Sequence, residues 1–221
     1  MPNAKKVVTT TTTTVTTESV DEAATHIICV LDRSGSMSHL ADEVITHFNH
    51  FLKTQQAEKG EAKLTLVLFD NQYELLYDAI DLASAVPLTS ETYYVRGMTA
   101  MNDAVGCVLT ANQNEEKAIV LIHTDGMENA SREFTPASVK ALVDKLESTW
   151  EFIFVGANID AQRTGDQYGF VNNIQSNATA EAMGYSYDQF AQTTSSYRSV
   201  GKNAEVMAGI VAEANATQAK T

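Results

Sequence analysis

The chain has 221 residues, of which 44% are hydrophobic and 19% are charged, and its formal net charge is −13. That length fits a single domain, since one core serves up to about 250 residues, and the apolar fraction is sufficient for such a core. Phosphate neutralisation needs clustered lysines and arginines, so this acidic composition argues against a nucleic-acid-binding surface.

Residues 1–20 form a threonine-rich segment of low complexity, for which disorder is the default expectation. Threonine and valine also favour strands, so an arm that pairs with a sheet edge and drives self-association is an alternative. A threonine tract stands where a secretion signal would need an apolar segment. No run approaches the roughly 18 apolar residues of a membrane span. We therefore expect a cytoplasmic protein without a membrane partner.

From residue 25 onward, strand-like and helix-like segments alternate. Near-continuous apolar runs predict strands buried on both faces. They lie at 25–31, 63–69, 117–124 and 151–157, with a weaker one at 170–175. Residues 72–78 follow the second strand after a very short turn, which predicts an antiparallel edge strand.

Apolar positions three and four residues apart predict amphipathic helices between these strands. The sets are Leu40, Val44, Phe48 and Phe51, then Ala104, Cys107, Val108 and Ala111, then Val139, Leu142, Val143 and Leu146. Thr135 and Pro136 are typical of an N-cap and a first helical position. Short helices are expected near 80–85 and 160–168, and two longer ones at about 186–199 and 203–215. Ser186 and Gln189 have capping-box spacing at the start of the first of these.

This alternation predicts an α/β fold with an open, mostly parallel, doubly wound (Rossmann-like) sheet and helices on both faces. One antiparallel strand is expected at its edge. The predicted organisation is an arm at 1–20, a domain at 21–202, and a C-terminal helix and tail at 203–221.

Polar residues follow the strands at the edge where such sheets bind ligands. Asp32, Ser34 and Ser36 come directly after the first strand, and Asp125 comes directly after 117–124. Thr99 precedes the helix that contains Ala104. Two carboxylates and three hydroxyls form an all-oxygen set, which suits Mg²⁺ best and also Mn²⁺ or Ca²⁺.

Three stretches, "DRSGSM" (32–37), "TAMNDA" (99–104) and "TDGMEN" (124–129), together resemble the metal-ion-dependent adhesion site of von Willebrand factor A (vWA) domains. The stretches "FIFVGANIDA" (152–161) and "SSYRS" (195–199) also resemble small bacterial and phage-encoded members of that family. The resemblance covers about residues 25–200 and implies a vWA fold. It further implies five metal positions, filled here by Asp32, Ser34, Ser36, Thr99 and Asp125.

The resemblance also implies that a partner protein's aspartate or glutamate completes the metal shell. Intracellular relatives work as adaptors or assembly factors, some of them beside AAA+ ATPases. Many relatives carry a glycine pair before the threonine, whereas Gly97 is followed here by Met98, a departure that bears on the binding preference. Asp103 and Glu128 flank the motifs and are candidates either for orienting metal-bound water or for capping.

The leading hypothesis is thus a Mg²⁺-dependent protein-binding module without enzymatic turnover. One alternative is a Mg²⁺-dependent phosphohydrolase that uses Asp32 as its nucleophile. Such enzymes carry a second acid two residues later, and Ser34 occupies that position here. Another alternative is a structural protein that assembles through its N-terminal arm.

Several further residues have simpler interpretations. Cys29 and Cys107 are expected as buried thiols, and His47 and His50 as a solvated helix face. Three aromatic residues in the C-terminal part are expected in the core: Tyr185, Tyr187 and Phe190. For Tyr93, Tyr94 and Arg96, a partner-binding rim and ordinary loop packing both remain open.

Overall fold

The computed structural model describes residues 24–177 and 179–218. At the centre of this described part of the chain is a sheet of six strands in the order β3-β2-β1-β4-β5-β6. The strands are β1 (Thr25–Asp32), β2 (Ala62–Phe69), β3 (Tyr73–Asp81), β4 (Ala118–Thr124), β5 (Glu151–Ala157) and β6 (Asn172–Ser176). All neighbouring pairs are parallel except β2 and β3, which are antiparallel. The predicted fold class, including the antiparallel edge strand, is confirmed.

Within the residues that the structure describes, six α-helices cover the two faces of the sheet. They are α1 (Ala41–Ala57), α2 (Met101–Asn112), α3 (Pro136–Leu146), α4 (Ala161–Tyr168), α5 (Ala180–Val200) and α6 (Ala204–Gln218). Short 3₁₀ helices occupy Gly35–His39 and Leu82–Ser84, the latter within the region expected to be helical at 80–85. Within residues 24–177 and 179–218, no helix combines the length and the hydropathy that a membrane-spanning segment needs.

Successive residues of β1 feed two separate cores, because side chains alternate between the faces of a strand. Cys29 and Leu31 pack with α1, α5 and α6, where the rings of Phe51 and Phe190 have centroids 4.5 Å apart. Ile28 and Val30 pack with α2, α3 and α4 on the opposite face. Burial on both sides explains why the central strands have near-continuous apolar sequences.

The face of α2 is rotated from the one that the sequence predicts. Cys107 is only partly buried and Ala111 is exposed. The buried residues are Met101, Ala104, Val105, Val108 and Leu109, together with Gly106 and the polar Asn102. The predicted set treated small residues as core positions, whereas the larger Val105 and Leu109 fill the space above the sheet. The expectation of a buried thiol is therefore correct for Cys29 and wrong for Cys107.

The predicted capping box at Ser186 is wrong, because α5 begins six residues earlier. Thr179 is the N-cap, and its side chain accepts a hydrogen bond from the Ala182 amide. Ser186 is buried within the helix and donates to the Ala182 carbonyl oxygen at 3.0 Å. Its spacing to Gln189 is therefore coincidental. At α3 the prediction holds, since Thr135 is the N-cap and Pro136 opens the helix.

Helix α6 packs against the outer strand β6. The Asn215 amide nitrogen donates to the Asn173 carbonyl oxygen, and Asn215 Oδ1 accepts from the Gln175 amide, both at 2.9 Å. This side chain therefore satisfies backbone groups that β6 would otherwise leave free at that edge. The arm predicted at residues 1–20 lies outside the described residues, and its role stays a prediction.

Candidate metal centre

The strand order reverses between β1 and β4, and this point carries the predicted metal residues. The connection from β1 through α1 leads to β2 on one side, while β4 through α3 leads to β5 on the other. Ligands of open α/β sheets bind at the carboxyl ends of strands at such a switch point. Asp32 ends β1, and Asp125 directly follows β4.

Hydrogen bonds from two strand ends fix the carboxylate of Asp32, which is fully buried. Its Oδ1 accepts from the Ser34 amide at 2.6 Å, and its Oδ2 accepts from Thr124 Oγ1 at 2.5 Å. Ser34 Oγ lies 3.0 Å from Ser36 Oγ, so both hydroxyls of the motif lie together. The loop therefore positions these three side chains as one group.

The loop that carries Thr99 is attached to the β1 loop by backbone hydrogen bonds. The Arg96 amide donates to the Arg33 carbonyl oxygen at 2.9 Å, and the Gly35 amide donates to the Gly97 carbonyl oxygen at 3.2 Å. Gly97 has φ +70°, which a side chain would strain, and a Cβ there would lie 2.1 Å from Asn71 Oδ1. Met98 needs no such freedom, and its side chain is 53% exposed. The departure from the glycine pair therefore places an apolar side chain on the rim.

The space beside Gly126 shows that the predicted ligands converge. A Cβ built on Gly126 would lie 2.8 Å from Thr99 Oγ1, 3.2 Å from Ser36 Oγ and 3.6 Å from Asp32 Oδ2. Oxygens from the β1 loop and the loop before α2 thus surround a small space beside the β4 loop. Asp125 adjoins it, since Ser36 hydrogen-bonds to this carboxyl group. The structure brings all five residues together, and their binding of a metal stays a prediction.

The electrostatics of this cradle favour a cation. Burial raises the pKa of Asp32 to about 6, although hydrogen bonds from Thr124 and Ser34 oppose the shift. Burial also raises the pKa of Asp125, whose Oδ1 is buried without a hydrogen-bond partner. A cation in the cradle would supply the counter-charge that these carboxylates lack. The residues present therefore fit a hard divalent ion.

The cradle relies on hydroxyls more than on charged ligands. Among the described residues, no group of three or more His, Cys, Asp or Glu side chains is placed to hold a metal. Mg²⁺ and Mn²⁺ accept such oxygen ligands and retain several waters, whereas Zn²⁺ prefers nitrogen and sulfur. The donor set thus agrees with the predicted choice of metal.

The pKa of Asp32 predicts how metal stabilisation depends on pH. Its folded-state pKa of about 6 exceeds the ordinary value of 3.8. Ionising this buried carboxyl therefore costs free energy of folding, and the folded protein becomes less stable as the pH rises through 6. A bound cation offsets this loss only where Asp32 is ionised. We expect Mg²⁺ to raise the unfolding temperature by several degrees at about pH 7.5 and hardly at all at about pH 4.5. Scanning fluorimetry with Mg²⁺ or EDTA checks this, and a pH-independent rise would contradict it.

A buried ion-pair cluster beside the cradle was not predicted. Asp70 is fully buried, and its Oδ2 accepts from Arg33 Nε at 3.1 Å and from Arg96 Nε at 2.6 Å. Both guanidinium groups also lie over the ring of Tyr94, at 5.2 and 5.3 Å. Asp70 directly follows β2, so the strand-end signal that identified Asp32 and Asp125 could have identified it as well.

The two flanking acids stabilise loops. Asp103 accepts backbone hydrogen bonds from Arg132, Glu133 and Phe134. Burial raises the pKa of Asp103, yet these bonds outweigh that effect and hold it below its usual value. Glu128 accepts from the amides of Asn102, Ala130 and Ser131 and from the Ser131 hydroxyl. These contacts connect the start of α2 to the loop after β4.

The remaining candidates divide between packing and surface. Tyr93 is buried and its hydroxyl donates to the Asp32 carbonyl oxygen at 2.5 Å, so it supports the cradle from within. His50 is exposed, as predicted. His47 is only partly exposed, because its ring stacks on Tyr187 of α5 with centroids 6.3 Å apart. Tyr187 and Phe190 are in the core, as expected.

The model of a protein family, described as VWA domain containing CoxE-like protein, matches residues 4–163. None of the curated proteins compared with the chain matches it. Two solved structures share its fold over most of its length. Proximal thread matrix protein 1 from the mussel byssus has a TM-score of 0.58 and 12% identity, over 79% of this chain and 47% of that one. The vWF domain of the type V pili tip protein Mfa5 from Porphyromonas gingivalis has a TM-score of 0.60 and 12% identity, over 83% of this chain and 99% of that one.

A third similar structure is manganese-loaded. The manganese-loaded TRAP protein of Plasmodium vivax has a TM-score of 0.51 and 19% identity, over 66% of this chain and 63% of that one. Sequence identities of 12% to 19% show that these structures share a fold with this chain, and the fold alone. The chain spans about half the length of the mussel protein and less than two thirds of the Plasmodium protein.

Proposed function

This chain belongs to the family of VWA domain containing CoxE-like proteins, and on that premise we propose that it is a metal-dependent protein-binding module. Asp32, Ser34, Ser36, Thr99 and Asp125 would hold one Mg²⁺ or Mn²⁺. The bound ion would supply a Lewis-acidic centre that takes a carboxylate from a partner protein.

The single observation that carries this proposal is the cradle beside Gly126. Three side-chain oxygens, two from the end of β1 and its loop and one from the loop before α2, lie within 3.6 Å of the point where a Cβ on Gly126 would stand, next to a buried carboxylate oxygen of Asp125 that has no hydrogen-bond partner. Three of the five ligands would be neutral hydroxyls, which neutralise less of an ion's charge than carboxylates would, so the ion retains attraction for another anion. The manganese in the Plasmodium relative is consistent with this choice of metal.

The residue two positions after Asp32 supports a binding role over a phosphohydrolase. Each Asp32 oxygen accepts one hydrogen bond from the protein, which fixes the carboxylate and leaves a lone pair on each oxygen for an ion. Ser34, two residues later, provides a hydroxyl in place of a general acid. Asp32 is thus better suited to hold an ion than to form a covalent intermediate.

Substitutions at Thr99 test the proposal with little change in shape. Thr99→Val removes the hydroxyl and keeps the branched side chain, whereas Thr99→Ser keeps the hydroxyl. We expect Thr99→Val to weaken Mn²⁺ binding by at least about tenfold, the loss typically seen when a residue that supports a metal ligand is removed. Thr99→Ser should bind Mn²⁺ with an affinity within about threefold of that of the native chain. Titration followed by electron paramagnetic resonance measures free Mn²⁺. Equal affinities for the native chain and Thr99→Val would contradict the proposal.

A further inference from the structure

A pocket lies at the amino edge of the sheet, where β5 and β6 begin and α6 packs beside them. Its volume is about 390 Å³. Six of its nine lining side chains are apolar, among them Val171, Met207 and Val211, and the other three are Glu151, Asn172 and Lys202. A mainly apolar pocket with a small number of polar groups is typical of a small-molecule site.

This pocket is remote from the metal cradle. Glu151 is the first residue of β5 and Asn172 is the first residue of β6, whereas the cradle lies at the carboxyl ends of the strands. A strand of seven residues, such as β5, spans roughly 20 Å. The pocket therefore shares no residue with the predicted metal centre, and a ligand bound there would not depend on the metal.

Only one oxygen of the Glu151 carboxylate has a hydrogen-bond partner. The side chain is 2% exposed, and its Oε1 accepts from Asn172 Nδ2. Its Oε2 is buried and makes no hydrogen bond. Burial raises the pKa of Glu151, although Lys202 and Asn172 oppose the shift. Since buried polar oxygens normally have a partner, a ligand in the pocket that Glu151 lines would supply the missing donor.

Lys202 balances the charge of Glu151 without satisfying its free oxygen. The Lys202 Nζ lies 3.8 Å from Glu151 Oε2, which is beyond hydrogen-bond distance. The ammonium donates instead to the carbonyl oxygens of Trp150, at 2.8 Å, and of Glu147. Among the described residues that line the pocket, Glu151 and Lys202 are the charged ones, and their charges cancel. The pocket therefore favours a neutral ligand that donates a hydrogen bond.

We propose that this pocket binds a small neutral molecule with an apolar body and one hydroxyl or amide donor. The donor hydrogen-bonds to Glu151 Oε2, and the apolar body packs against Val171 and against Met207 and Val211 of α6. A net charge on the ligand would be repelled by either Glu151 or Lys202. The volume of about 390 Å³ is near the lower end of the range of ligand pockets, which suits a small molecule.

The test compares phenethyl alcohol with its methyl ether, which lacks the donor. Each is titrated into the whole chain with isotope-labelled methionine methyl groups, and binding is followed by NMR. Met207 lines the pocket and is 1% exposed, whereas Met98 and Met127 lie on the cradle loops and serve as references. We expect the alcohol to shift the Met207 signal and to leave the two reference signals unchanged.

The hydrogen bond to Glu151 sets the expected order of affinities. The alcohol should bind at least about tenfold more tightly than the ether, because a hydrogen bond to a charged group contributes about that factor. Phenethylamine and phenylacetate carry opposite charges on similar bodies, and both should bind more weakly than the alcohol.

Two substitutions examine the acceptor and the apolar space separately. Glu151→Met removes the acceptor and keeps an unbranched side chain, so it should abolish the preference for the alcohol over the ether. Ala208 lines the pocket from an exposed position on α6, and Ala208→Leu should weaken the binding of both compounds by filling the pocket. Gly209→Ala on the same helix is the control, because a Cβ there meets nothing within 4 Å. It should bind both compounds as the native chain does.

Several outcomes would overturn this inference. They are equal affinities for the alcohol and the ether, an alcohol preference that persists in Glu151→Met, native affinity in Ala208→Leu, and tighter binding of either charged analogue. Shifts of the Met98 or Met127 signal without a shift of Met207 would place the ligand at the other edge. Exchange of Mg²⁺ for EDTA should leave the alcohol affinity unchanged, and a Mg²⁺-dependent affinity would contradict a separate site.

Discussion

Gly126→Ala is expected to weaken Mg²⁺ and Mn²⁺ binding by at least about a hundredfold, although it removes no ligand. This is the upper end of the loss in affinity that single substitutions around a metal site cause. The new methyl group would lie 2.8 Å from Thr99 Oγ1 and 3.2 Å from Ser36 Oγ, in the space assigned to the ion. Gly126 does not have a left-handed backbone conformation, so alanine is allowed there. Calorimetric titration of the metal measures the loss.

Two measurements show whether that loss reflects the cradle rather than misfolding. The methyl group displaces a threonine and a serine side chain, so unfolding in EDTA should become easier by no more than about 1–2 kcal/mol. Gly209→Ala is the control, because a Cβ there meets nothing within 4 Å. It should leave metal affinity unchanged. Metal binding by Gly126→Ala within threefold of the native value would place the ion elsewhere.

Asp70→Asn is expected to lower the free energy of unfolding by about 3 kcal/mol, because it leaves buried charge uncompensated. Arg33 is fully buried, and its Nε donates to Asp70. Its other partner, Glu74, has a side chain that is 41% exposed. Asparagine keeps the shape of Asp70 and removes the charge. Urea unfolding in EDTA measures the difference.

The control for Asp70→Asn breaks an ion pair of similar length on the surface. Lys140 and Asp144 are 2.5 Å apart and are about half exposed. Asp144→Asn should therefore cost less than about 0.5 kcal/mol. Asp70→Asn should also weaken metal binding, since Asp70 holds Arg33 beside Asp32 and Arg96 near Thr99. Equal stability of the two variants would contradict a structural role for the Asp70 cluster.

The sheet could be predicted from sequence because its central strands are buried on both faces. Their apolar runs are long enough to identify each strand, and the short turn before Tyr73 identifies the antiparallel edge. The predicted metal residues are brought together for a related reason. Once strand order is fixed, the residues that follow β1 and β4 are neighbours, whatever lies between them in the chain.

The region between β3 and α2 could not be predicted, because distant contacts determine its path. The backbone amide of Leu88 donates to Asn49 Oδ1 at 2.7 Å, and the Leu88 carbonyl oxygen accepts from Asn49 Nδ2 at 2.9 Å. The packing of Tyr93 under Asp32 also depends on the folded loop. No local pattern records such partners. The sequence therefore locates Thr99 without showing the contacts that hold it.

The start of α5 and the core face of α2 show a different limit. Capping spacing occurs by chance within long helices, and Ser186 and Gln189 satisfy it while buried. In α2, Ala104 and Val108 belong to the predicted face and also to the real one, but Val105 and Leu109 replace Cys107 and Ala111. Periodicity identifies a helix more reliably than it identifies the side that a particular sheet covers.

The central claim, a metal with a coordination position open to a partner's carboxylate, is tested most directly by water-proton relaxation of the Mn²⁺-loaded chain. Water on the bound Mn²⁺ should enhance relaxation. A peptide with one central aspartate should reduce the enhancement by displacing that water, and the same peptide with asparagine should not. Equal effects of the two peptides, or an enhancement that is the same in Asp32→Ala as in the native chain, would contradict the account.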